Sequence, residues 1–142
     1  MTLILETGPL YAMMDAGDDD HEASLRLLTT YPGRIVLPTL SITEVAYLVS
    51  SRIGAKGEVA LLRDLEAGHF HVEPVWPADW ARIRQLVDQY ADLPLGTIDA
   101  SVIACAERLG VTDVATLDRR HFTVVRPKHV GALTLLPFLS EN

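Results

Sequence analysis

The stretch Leu3-Ile4-Leu5-Glu6-Thr7-Gly8-Pro9 decides how the rest of the chain is read. Its apolar run is short and ends abruptly, and Pro9 falls near the first position of a helix, where a missing backbone N–H costs nothing. The segment reads as a buried strand that passes directly into a helix. The same step recurs at Arg34-Ile-Val-Leu-Pro38, a second short strand, followed by a helix over 41–51 with Ile42, Val45, Ala46, Leu48 and Val49 on its apolar side. Between these two steps, Asp18-Asp19-Asp20 precedes the helical spacing of Ala23, Leu25, Leu27 and Leu28, and the three acids suit a helix N-terminus.

Further along, the pattern predicts a helix over 58–66 closed by Gly68, a strand over 70–73 closed by Pro74, and a helix over 81–90. A helix over 97–109, stopped by Gly110, leads into a strand over 111–116, and 133–137 supplies the last strand. Trp76 and Trp80, at helical spacing, are expected to pack into the core or a dimer seam. Parallel neighbours need crossover helices, so strands alternating with helices predict an α/β fold: a mainly parallel sheet of about five strands sandwiched between helical layers. Nothing in residues 1–142 divides the chain, which reads as one domain.

Composition narrows the function. With 49% hydrophobic and 22% charged residues, the chain has the balance of a globular protein. No apolar run approaches the roughly 18 residues of a membrane span, and the N-terminus lacks a basic region before its apolar run, so a cytoplasmic, membrane-free protein is expected. Cys105, the single cysteine, sits in an apolar helical setting and reads as a packing residue. A net charge of −7 excludes a general nucleic-acid coat, which needs a broad basic surface. Any phosphate must be met locally. Arg119, Arg120, Arg126 and Lys128 fall close together and offer such a patch, or else the solvated flank of an edge strand. Gly54-Ala-Lys-Gly57 lacks the full phosphate-cradling loop, and His69 and His71 have no third partner for zinc.

Ligands in open α/β sheets collect beyond the carboxyl ends of the strands. Glu6 ends the first strand, Asp118 follows the 111–116 strand, Asp99 lies in the first turn of the helix leading to it, and Glu44 is on the helix after strand two. Brought to one end of the sheet, these four acids would form the oxygen-rich site that hard cations such as Mg²⁺ prefer. Each also has a structural role open to it. Ser41-Ile-Thr-Glu44 matches a capping box, Asp99 complements a helix dipole, and Asp118 shapes a turn before Arg119-Arg120.

The segments Leu5-Glu6-Thr7-Gly8-Pro9-Leu10, Thr43-Glu44, Leu93-Pro-Leu-Gly-Thr-Ile-Asp99-Ala100 and Ala115-Thr-Leu-Asp118-Arg-Arg-His-Phe122 resemble, in order and spacing, the successive motifs of PIN-domain ribonucleases. The last two are similar to those of VapC toxins from toxin–antitoxin pairs. The resemblance implies a PIN-like α/β/α sandwich and metal-dependent cleavage of RNA, with Mg²⁺ as cofactor and Mn²⁺ as a substitute. It implies a cognate VapB-like antitoxin that sends a basic side chain into the acidic site, and a homodimer. By the same match Glu6, Glu44, Asp99 and Asp118 are the catalytic and metal-holding acids, directly or through water. Thr7 and Thr116 support them, and Arg119 and Arg120 are weaker candidates for touching RNA.

The resemblance departs at Glu6, where family members carry Asp. One added methylene displaces the carboxylate by about 1.5 Å in a site whose cation tolerates little distortion. The alternative that follows is a catalytically impaired PIN-like binding module whose acidic pocket serves only to receive the antitoxin. A phosphoacceptor receiver domain also groups acids beyond parallel strands, but it needs paired acids after strand one, which this chain lacks.

Overall fold

In the computed structural model, which describes residues 1–138, β1 (Thr2–Leu5) is the middle strand of a five-stranded sheet. Its side chains alternate in direction, and both sets are buried: Leu3 and Leu5 join one apolar cluster and Ile4 joins the other. A strand buried on both faces is what an all-parallel sheet requires, which is why this one reads as a continuous apolar run.

The chain continues through α1 (Thr7–Met14) and α2 (His21–Thr30) into β2 (Arg34–Pro38), then α3 (Thr39–Arg52), α4 (Ala55–Glu66) and β3 (His71–Glu73). It returns through α5 (Asp79–Gln89) and α6 (Thr97–Leu109) to β4 (Asp113–Ala115), α7 (Arg119–Val124) and β5 (Thr134–Leu136). The strand order is β3-β2-β1-β4-β5, every neighbouring pair parallel, with Leu3 opposite Ile35 on one side and Asp113 on the other. Progress along the sheet therefore reverses at β1. The carboxyl ends of β1 and β4 flank the point where connections leave in opposite directions, and a crevice opens there.

One helical layer packs Val45, Val49 and Leu61 with Leu10 against Leu3, Leu5 and Leu37. The other packs Ile83, Leu86, Val102 and Ile103 against Ile4, Val36 and Val114. Each fully buried aliphatic side chain contributes about 1.5–3 kcal/mol relative to exposure. The two layers thus fix β1 and β4 from above and below. Gly110 ends α6 at φ 67°, a left-handed conformation that a side chain disfavours, and lets the chain turn into β4. Among the described residues no helix is long and apolar enough to cross a membrane.

Several local expectations are corrected. α3 starts at Thr39, directly after β2, so Ser41 is already inside the helix and no side chain caps its N-terminus. The Ser41 hydroxyl is buried without a hydrogen-bond partner, and Thr39 Oγ1 instead donates to the Glu73 carbonyl at 2.9 Å. The capping box is absent because the strand runs into the helix without a linker. α7 is an additional helix in a segment read only as a turn. Asp20 precedes α2 but its side chain makes no capping bond. Trp76 and Trp80 are about half exposed, at 53% and 50%, so of the two placements expected for them, core or dimer seam, the core is set aside. The single-domain reading extends to residue 142, and residues 139–142 lie outside the described ones.

Candidate functional site

Glu6 is the first residue beyond β1 and the N-cap of α1, where its Oε2 accepts from the Gly8 backbone N–H at 3.2 Å. Its amide donates to the Ala115 carbonyl at 3.0 Å, tying it to the end of β4. One residue further along β4's path, Thr116 is fully buried; its hydroxyl donates to Glu6 Oε2 at 3.3 Å and accepts from the Asp118 N–H at 3.0 Å. Thr116 thus links two of the expected acids. Thr7, also buried, donates from Oγ1 to Glu44 Oε2 at 3.4 Å and links α1 to α3.

Asp99 and Asp118 reach the same point from different elements. Asp99 projects from the first turn of α6, and Asp118 caps α7, its Oδ1 accepting from the His121 N–H at 3.3 Å. The second oxygen of Asp118 and Oδ2 of Asp99 lie 2.8 Å and 3.0 Å from the same atom, Nδ1 of His121. Among the described residues, these three side chains are the set whose ligand atoms fall within 4.8 Å of one another, close enough to share one ion. Glu6 and Glu44 are not in that set, but both line the same cavity of about 800 Å³ as Asp99, Asp118 and His121.

The electrostatics favour a positive charge at this point. Burial, followed by the charges of Asp99 and Glu44, pushes the Glu6 carboxyl up to about 7 from 4.5, against the pull of the Gly8 and Thr7 amides. Burial also raises Asp99, and the nearby Asp118 adds to it, while the His121 hydrogen bond opposes the rise. Acids held this close resist ionising together unless a cation joins them. A carboxylate-rich set with one imidazole suits a divalent ion, and such an ion held by Asp99 and Asp118 would replace the N–H that they now share.

Every acid expected from the sequence therefore reaches one cavity, and so do Thr7 and, through Glu6, Thr116. Glu44 is released from the capping role assigned by its neighbours. Arg119 and Arg120 do not line the cavity: Arg119 donates to the Pro137 carbonyl and Arg120 to the Leu93 carbonyl at 3.1 Å. His121 was missed as a site residue. Its signal was present, since three residues after Asp118 is the spacing of one helical turn, but it is legible only once α7 is known to exist.

The sequence profile of the PIN domain matches residues 3–126, most of the chain. The chain belongs to the PIN-domain family. Within that family this PIN domain is 32% identical over 135 residues to the ribonuclease VapC26 of Mycobacterium tuberculosis, an alignment covering 95% of this chain and all of the relative. Its fold is similar to that of the sarcin–ricin loop cleaving toxin VapC20 of the same organism (TM-score 0.78, 19% identity, 84% of this chain and 92% of that one). It is also similar to VapBC2 of Rickettsia felis, solved bound to a promoter DNA fragment (TM-score 0.69, 16% identity, 96% and 100%). At these identities the two structures speak for the PIN architecture alone. The relative in sequence is what ties this PIN domain to the VapC branch.

Proposed function

We propose that this PIN domain is an endoribonuclease toxin that depends on a divalent cation, Mg²⁺ or in its place Mn²⁺, and is restrained by a cognate antitoxin. The observation that carries the proposal is the convergence of Asp99 and Asp118, from α6 and α7, within 3.0 Å of one atom in a cavity that Glu6 and Glu44 also line. The ribonuclease VapC26, matched over nearly the full chain, supports RNA as the substrate. The antitoxin-bearing VapBC2 assembly supports a partner of the same kind, which would insert a basic side chain into the acids. A homodimer is the expected working form.

In this reading Asp99 and Asp118 would hold the cation, with Glu44 and Glu6 completing the negative shell directly or through water. When bound, the cation offsets charge developing on the scissile phosphate and lowers the pKa of a bound water. The chain's own groups prepare the site. Thr7 fixes the Glu44 carboxylate, Thr116 fixes Glu6, and His121 aligns Asp99 with Asp118. Gly8 and Thr116 both bond Glu6 Oε2, which leaves Oε1 as the oxygen able to join that shell.

A second reading is favoured by one observation. The longer Glu6 side chain curls onto the α1 N-terminus and Thr116, and it is absent from the tight Asp99–Asp118–His121 set. In that reading the cavity binds an antitoxin but turns over RNA poorly. RNA cleavage assayed with Mg²⁺ and Mn²⁺ separates the two. The ribonuclease reading expects D99N to abolish cleavage and E6D to raise it. RNA left intact by both the wild type and E6D, with tight antitoxin binding retained, establishes the binding module instead.

A further inference from the structure

The acidic cavity extends well past the acids. On α3, Glu44, Leu48 and Arg52 follow one another at intervals of four residues, and all three line it. Residues so spaced share one face of a helix, and Arg52 lies about 12 Å along the axis from Glu44. On α1, Thr7 and Tyr11 have the same spacing and line the same cavity. From the acids the cavity therefore continues as a groove along α1 and α3, with Arg52 and Tyr11 toward its far end.

Arg52 is held there in a particular way. Its guanidinium carbon sits 5.0 Å from the centre of the Tyr11 ring, and the Tyr11 hydroxyl donates to Asp15 Oδ2 at 2.6 Å, so the ring beneath it is anchored. The charge of Asp15 draws the guanidinium toward the same corner, and Arg52 itself is exposed to solvent. The half-buried Arg82 and Arg108, by contrast, are committed: Arg82 is paired with Glu107, and Arg108 with Glu73 and Asp79. Among the described residues Arg52 makes no ion pair as short as these, and Asp15 is the carboxylate its charge reaches.

A polyanion entering this groove meets Glu6, Glu44, Asp99, Asp118 and Asp18 on its walls, on a protein of net charge −7. Among the described residues, Arg52 is the one lining residue with a permanent positive charge. Resting on the RNA-cleaving reading above, we propose that Arg52, stacked on Tyr11, grips a backbone phosphate of the RNA a short distance along the strand from the bond that is cut, so that the α1–α3 groove is the path of the strand. Leu48 and Tyr11 give that path an apolar stretch between its charged ends, against which a sugar or base rests.

The test uses the whole chain and a fluorescein-labelled single-stranded RNA 20-mer of mixed sequence. Binding is read by anisotropy in EDTA over a range of salt, and cleavage is read with Mn²⁺. R52Q keeps the side-chain length and removes the charge, whereas R52K keeps the charge. R52Q should weaken RNA binding about tenfold and lower the slope of log affinity against log salt by about 0.7, the value of one phosphate contact on a single strand. R52K should keep the wild-type slope, KM should rise in R52Q by more than kcat falls, and Mn²⁺ affinity should not move. A merely structural role for Arg52 would not change the salt slope selectively. R52Q with wild-type affinity and slope overturns the proposal while leaving the ribonuclease reading intact; a wild-type protein that neither binds nor cleaves RNA overturns both.

Discussion

Glu6 answers two demands at once, as the cap of α1 and as an acid of the cavity. The capping bond to Gly8 and the Thr116 hydroxyl stabilise its charged form, yet burial and the charges of Asp99 and Glu44 prevail, and its carboxyl rises to about 7. A group whose folded value lies above its unfolded value of 4.5 favours the folded state when protonated. Its contribution is therefore complete below about pH 4.5 and is lost as pH rises through about 7, up to about 3 kcal/mol for a shift of this size. E6Q cannot ionise. Metal-free wild type should lose stability relative to E6Q between pH 5 and pH 8 in urea unfolding, and parallel curves for the two would show that Glu6 titrates normally. At the same residue, E6D should shorten the reach that lets Oε2 fold back, and a rise in metal-dependent cleavage is the expected outcome.

At the scale of elements, α7 shows how a six-residue helix can position a site. Its Phe122 is 2% exposed and inserts into the cluster formed by α6, β4 and β5, which fixes the helix while Asp118 and His121 face the cavity from its first turn. F122A should cost about 3–5 kcal/mol of stability, measured by denaturant unfolding. It should also weaken Mn²⁺ binding in protein that is still folded, because Asp118 loses its support; unchanged binding would mean that Asp118 is placed by Thr116 alone. This element was not legible in the sequence, since six residues containing two arginines carry little helical periodicity. The start of α3 was misread for a related reason. Ser41 and Glu44 have the residue types and spacing of a capping box, and nothing local reveals that Pro38 ends the strand at the helix itself.

Across the whole molecule, the sheet was legible because burial on both faces leaves a distinctive mark: apolar runs such as Leu3–Leu5 and Ile35–Leu37 bounded by turn residues. The acids were legible as a group because three of them follow strands or open helices at the same end of that sheet. Side-chain direction was not. Trp76 sits at helical spacing from Trp80, but it covers Arg108 at 5.0 Å and donates to Glu73 at 3.1 Å, so it shields an ion-pair network instead of filling the core. The Glu6 carboxylate likewise turns toward its own helix, a choice made by Thr116 from a segment 110 residues away.

In the proposed function, acids from four separate segments of the chain act as a single cation-binding site. Isothermal titration of Mn²⁺ into the wild type, D99N and D118N tests it most directly. Measurable binding to the wild type is expected, with a loss of at least tenfold in each variant and thermal stabilisation of the wild type by Mn²⁺ that both variants lack. Equal Mn²⁺ affinity in all three proteins would contradict it.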